Sequence, residues 1–178
     1  MSGFYPVAGE DRAVLEALRD ELKAQRLQRN WTYGHAAAQV DRSHNFLYEM
    51  ENLRSGLKMD NLQLWASIYD LRIEFSLDGF WNFVWPHDEL TMLYQLSRPF
   101  DAKDFQRLWL VSALQAWRER LGITSAEVGY WMGLTAGAVT EWERTTSNPL
   151  MLRAMAQARM VKTSVTMKLW KREDWIFK

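Results

Sequence analysis

Asn45, Tyr48 and Glu49 follow the i, i+3, i+4 spacing that places side chains on one face of a helix, and His44 stands beside them. A carboxamide presents a donor and an acceptor side by side, so Asn45 can bond the edge of adenine in bidentate fashion. A carboxylate only accepts, so Glu49 suits the exocyclic amine of cytosine. This is the chemistry of recognition rather than of bond making. Reaction chemistry has little to stand on elsewhere in the chain. There is no Cys, no Gly-rich phosphate loop and no nucleophile elbow, and His35, His44 and His87 are too scattered for a metal centre. The sequence predicts a non-enzyme that uses no cofactor, no metal and no small-molecule substrate.

The elements that must position these residues occur twice. The segment Trp31-Thr32-Tyr33-Gly34-His35-Ala36-Ala37-Ala38 returns as Ile123-Thr124-Ser125-Ala126-Glu127-Val128-Gly129-Tyr130, 92 residues later. Without a gap, the same offset carries Leu22 onto Leu114, Arg26 onto Arg118, Ser43 onto Thr135, Leu47 onto Val139, Met50 onto Trp142 and Glu51 onto Glu143. Each copy reads as a short helix, a break, a Ser or Thr cap, and a second short helix ending in Glu. That is the layout of a helix-turn-helix, whose second helix can enter a major groove. A small residue belongs where the two helices cross, and Ala37 and Gly129 supply it. The turn needs a residue at ease with positive φ, which Gly133 and Asp41 provide. Ser43 and Thr135 are expected to cap the second helix, and Leu47 and Val139 to anchor it inward. Arg26 and Arg118 are expected to pair internally, with Glu51 and Glu143 linking the helices.

Around these motifs the chain is patterned for helices. Val14, Leu15, Leu18, Leu22 and Leu27 mark one face of a helix over 10–29, ended by Asn30. Thr32 caps a helix to about Val40, with Ala36, Ala37 and Val40 inward. After a loop over 52–56, Asp60 or Asn61 starts a helix carrying Leu62, Leu64, Trp65, Ile68 and Leu71. Alternating Ile73, Phe75 and Leu77 hint at a short strand, and Pro86-His87-Asp88-Glu89 reads as a helix start. Phe105, Leu108, Trp109, Val111, Leu114, Trp117 and Leu121 lie along a long amphipathic helix closed by Gly122. Helices over 124–132, 135–144 and 150–163 follow, with Pro149 in a favoured first-turn position. A last helix or extended tail covers 168–178. The expected fold class is mainly α: a helix-turn-helix domain over 1–74, an ordered aromatic-rich linker over 75–100, and a second helix-turn-helix domain over 101–178. The ten Trp are expected in cores or in packing between modules.

Composition sets bounds on this reading. With 48% hydrophobic residues in 178, there is enough apolar material for folded domains. The start lacks a basic region followed by an apolar run, and no apolar stretch nears the roughly 20 residues that span a bilayer. A soluble cytoplasmic protein is expected, with no membrane partner. Charge is balanced at 22 Lys+Arg against 22 Asp+Glu. The balance is uneven along the chain: residues 153–178 hold seven basic and two acidic side chains, a local excess of five suited to phosphates.

The two segments resemble the Cro/repressor-like family, whose motif runs apolar-Thr-Gln-x-x-Leu-Ala-x-x-x-Gly-apolar-Ser, then an apolar position and Glu. The first copy matches with Trp31-Thr32-Tyr33, Ala36-Ala37, Asp41-Arg42-Ser43, Leu47 and Glu51. The second matches with Ile123-Thr124-Ser125, Val128-Gly129, Gly133-Leu134-Thr135, Val139, Trp142-Glu143-Arg144 and Asn148-Pro149. Tyr33 and Ser125 replace the family's Gln, so a Gln contact is not carried over. Taken with the aromatic middle, Phe80-Trp81-Asn82-Phe83-Val84-Trp85-Pro86 and Ser97-Arg98-Pro99-Phe100, the tandem arrangement is similar to that of the mycobacteriophage immunity repressors. That resemblance implies a lysogeny-maintaining transcriptional repressor that confers superinfection immunity and binds asymmetric operator and stoperator sites as a monomer.

Double-stranded DNA is thus the expected partner. In the first copy Ser43, His44, Asn45, Tyr48 and Glu49 are the candidate readers. In the second they are Thr135, Ala136, Gly137, Ala138, Thr140 and Glu141, whose small residues allow close approach and contact with thymine methyls. Thr32, Tyr33, Thr124 and Ser125 stand at helix starts that favour phosphate. Arg42 and Arg29 are phosphate candidates, as is Arg144, expected one step past its helix. Two unlike recognition helices on one chain should read a site without two-fold symmetry. An antitoxin-like or adaptor protein, using the same fold to bind another protein through an exposed aromatic patch, is the alternative.

Overall fold

The computed structural model describes residues 9–54, 57–78, 102–145 and 150–171. Eight helices and two strands account for most of them. The helices are α1 (Gly9–Gln28), α2 (Tyr33–Ala38), α3 (His44–Glu51), α4 (Met59–Ser67), α5 (Ala102–Arg120), α6 (Ser125–Met132), α7 (Ala136–Thr145) and α8 (Met151–Met160); β1 (Leu71–Leu77) and β2 (Val165–Lys171) form a two-stranded sheet. Asp78 N–H donates to the Ser164 carbonyl at 3.0 Å and the Trp170 indole to Glu74 at 2.6 Å, so the strands run in opposite directions. The chain is therefore mainly helical, as the periodicity predicts. Of the expected linker, residues 79–100 lie outside the described part, as do Pro149 and the helix start at 86–89, while 75–78 complete β1 and its turn.

Two compact units share the described residues. One comprises 9–74 with 166–171, the other 75–78 with 102–145 and 150–165. In the first, α2 and α3 pack on each other, and α3 also meets α1 and α4. Leu15, Leu18, Leu22, Ala36, Ala37, Leu47, Met50, Leu62, Trp65 and Ile73 close the core. In the second, α6 packs on α7, and α8 meets α5 and α6. Val128, Met132 and Val139 form a buried cluster there, flanked by Ile123, Leu134, Ala156 and Met160.

The offset of 92 reaches further than the motif. Every helix of the first half has its counterpart, and Asp70 and Lys162, which precede the strands, both adopt left-handed backbone at φ 58° and 59°. Asn30 and Gly122, which end α1 and α5, do the same at φ 54° and 69°. Such turns stop a helix because a left-handed residue cannot continue it.

Four local expectations need correction. Of the stretch 168–178 expected as a helix or extended tail, 168–171 belong to strand β2, which starts at Val165, and 172–178 lie outside the described residues. The alternation of Val165, Met167 and Leu169 with Thr166 and Lys168 is the period of a strand. Leu27 and Leu121 are 54% and 47% exposed: Leu27 lies in the last turn of α1, and Leu121 falls in the turn just past α5. The helix expected from Asp60 or Asn61 begins at Met59, with Lys58 at the cap position. Trp131 is 64% exposed rather than packed away, and its neighbour Tyr130 is 82% exposed.

Candidate nucleic-acid interface

The scaffold under each pair of short helices is an arginine fork. Arg26 Nε donates to Glu51 Oε1 at 2.6 Å and Nη2 to Oε2 at 2.9 Å, while Nη1 donates to the Trp31 carbonyl at 2.9 Å. In the second copy Arg118 Nε and Nη2 donate to Glu143 Oε1 and Oε2, both at 2.8 Å, and Nη1 donates to the Ile123 carbonyl at 2.8 Å. All four side chains are buried. A planar guanidinium satisfies both carboxylate oxygens and one orphan carbonyl at once, which a lysine could not do. The hydrogen bond to the paired glutamate, followed by its charge, holds each arginine's pKa above its usual value despite desolvation. Arg26 and Arg118 are thus internal, as expected, and Glu51 and Glu143 tie the end of the second short helix to the first long one. The second copy adds Gln157, whose Nε2 donates to Glu143 Oε1 at 2.7 Å.

The turns are built as the residue types require. Asp41 and Gly133 adopt φ 53° and 63°. Arg42 N–H donates to the Ala37 carbonyl at 3.0 Å, and Leu134 N–H to the Gly129 carbonyl at 2.7 Å. At Gly129 the approach is so close that a Cβ would sit 2.6 Å from the Leu134 carbonyl oxygen. In the first copy Ala37 accommodates its methyl at the same place, fully buried.

Caps differ between the copies. Thr32 Oγ1 accepts from His35 N–H at 3.2 Å, and Thr124 Oγ1 from Glu127 N–H at 3.2 Å. Only the second is a full capping box: Glu127 Oε2 accepts from Thr124 N–H at 2.6 Å and from its hydroxyl at 2.8 Å. The backbone hydrogen bond from Thr124, then its hydroxyl, holds the Glu127 carboxyl below the usual carboxylate range. At the second helix Thr135 Oγ1 accepts from Ala138 N–H at 3.1 Å. Ser43 occupies the cap position but its hydroxyl makes no cap bond, contrary to expectation.

The expected readers all lie at the surface. His44, Asn45 and Glu49 are exposed along α3, and Tyr48 is 39% exposed. Tyr48 meets the edge of Tyr33 at 5.8 Å, and Arg54, which the sequence reading passed over, lies over the Tyr48 ring at 5.5 Å. Tyr33 is half-buried with Arg26 over its ring at 4.2 Å, so its face belongs to the scaffold. On α7, Ala136, Gly137, Ala138, Thr140 and Glu141 are exposed. The Thr140 hydroxyl donates to the Ala136 carbonyl at 3.1 Å and lies 3.4 Å from the Ser125 hydroxyl, itself half-buried. Arg144 falls within α7 rather than past it, and its Nη2 pairs with Glu141 at 2.8 Å. Thr32, Arg42, Ser43, Thr124 and Thr135 complete the exposed set.

Arg29 carries a cluster the sequence did not announce. Its Nη1 donates to the Gln25 carbonyl and side chain at 3.1 and 2.7 Å, and its guanidinium lies 5.7 Å from the Trp31 ring and 5.5 Å from that of Tyr69. Burial pushes the Tyr69 hydroxyl up to about 12. No helix among the described residues is long and apolar enough to cross a membrane, and none of their His, Asp and Glu groups could hold a metal. No family model, curated protein or solved structure matches the chain.

Proposed function

We propose that the chain is a sequence-specific double-stranded DNA-binding repressor of the phage-immunity type. It acts in the cytoplasm, one chain per site, and reads an asymmetric operator with two unlike helix-turn-helix units, α2–α3 and α6–α7. One observation carries this reading. The same buried fork underlies both helix pairs at a constant offset, while the exposed faces of α3 and α7 share almost no chemistry. A scaffold repeated beneath a face that changes is what two readers of different half-sequences require. The resemblance of the tandem motifs to immunity repressors supplies the repressor role.

Selection of bound duplexes from random DNA, followed by mass measurement of the complex, tests this directly. One chain on a site lacking two-fold symmetry is expected; two chains on a palindrome would sink it. The exposed Tyr130 and Trp131 favour a second reading, an adaptor that binds protein. Salt separates the two: phosphate-driven affinity falls steeply as salt rises, whereas an apolar interface hardly responds.

A further inference from the structure

The two halves differ where the offset places their outer charges. Arg29 corresponds to Leu121, Arg42 to Leu134 and His35 to Glu127. Arg29 is exposed, yet it is steadied by Gln25 and two aromatic rings. It therefore gives up less rotamer freedom on meeting a phosphate than a free arginine would. Arg42 stands exposed on the turn before α3, its backbone N–H held by the Ala37 carbonyl and its guanidinium without a hydrogen bond or ion pair among the described residues. In the second half Leu134 is half-buried against the apolar cluster and Glu127 is an exposed carboxylate. Arg144 is taken up by Glu141, and Arg120 already has a partner.

Resting on the DNA reading above, we propose that the halves grip a duplex unequally: Arg29 and Arg42 anchor the first half to phosphates, while Glu127 sets a repulsion that weakens the second. The α6–α7 pair itself then relies on shape, with Ala136, Gly137 and Ala138 allowing α7 to lie close to the bases.

The test measures affinity of the full chain for a mixed-sequence duplex against salt, for wild type and for Arg29→Gln, Arg42→Gln, Arg144→Gln and Glu127→Gln. Glutamine at 127 still completes a capping box, so the fold is kept, and circular dichroism checks each variant. Arg29→Gln and Arg42→Gln should each reduce the slope of log K against log salt by about one. Arg144→Gln should reduce the slope less than either, because Glu141 already pairs with that guanidinium, and Glu127→Gln should tighten binding several-fold. Unchanged slopes in both Arg29→Gln and Arg42→Gln, or an equal loss in Arg144→Gln, would overturn the unequal grip. Binding of Glu127→Gln no tighter than wild type would overturn the role of that carboxylate. Wild-type chain that does not bind the duplex at all overturns instead the DNA reading, a result seen before any variant is compared.

Discussion

Single residues in this chain divide into those that fix a distance and those that are free to make contacts. Gly129 is of the first kind. Its hydrogen lies where a methyl would press on the Leu134 carbonyl, so Gly129→Ala should destabilise the second unit by about 1–3 kcal/mol, read as a lower denaturant midpoint. Asn45 is of the second kind, exposed on α3 and distant from the core. Asn45→Ala should leave stability unchanged and relax preference at one base pair, at about 1–3 kcal/mol for a lost bidentate contact. Uniform weakening across all sequences would count against that role. The distinction was legible in the sequence for Ala37, Gly129, Asp41 and Gly133, because sterics alone decide them. It was not legible for Tyr33 or Arg144. Their partners, Arg26 and Glu141, are chosen by rotamers that residue spacing leaves open.

At the scale of elements, the pairs of short helices were readable from one repeated grammar, and β1 from Ile73, Phe75 and Leu77. Strand β2 carried the same alternation, but charged and aromatic residues near the terminus masked it as a tail. Caps were only half readable, since residue type names a cap position without saying which hydroxyl turns inward. That difference gives a paired expectation. Thr135→Ala removes a formed cap bond and should cost about 1 kcal/mol, whereas Ser43→Ala removes none and should cost less, compared by thermal melts. The box at Thr124 adds a pH dependence. The folded Glu127 carboxyl holds its proton less tightly than in the unfolded chain. Its contribution is therefore present above the ordinary carboxylate range and is lost as pH falls through the folded value. A carboxyl NMR titration should find Glu127 ionising at lower pH than a free glutamate.

Across the whole molecule, the paired forks make the halves comparable in a way their surfaces are not. Arg26→Met or Arg118→Met leaves a buried carboxylate without its cation and should cost about 3–5 kcal/mol in either half. Arg118→Met combined with Glu143→Met should recover much of that loss, because the desolvated charge disappears with its partner. Equal and small costs for the single and double changes would mean the fork holds little. The side chains of these latches are buried, whereas the outward residues of α3 and α7 are exposed. Outward residues of α3 and α7 can therefore be exchanged without touching the buried pairs that carry them. Under the DNA reading proposed above, exchanging those outward residues in one half should alter preference for one part of the target while the other half and the fold are kept.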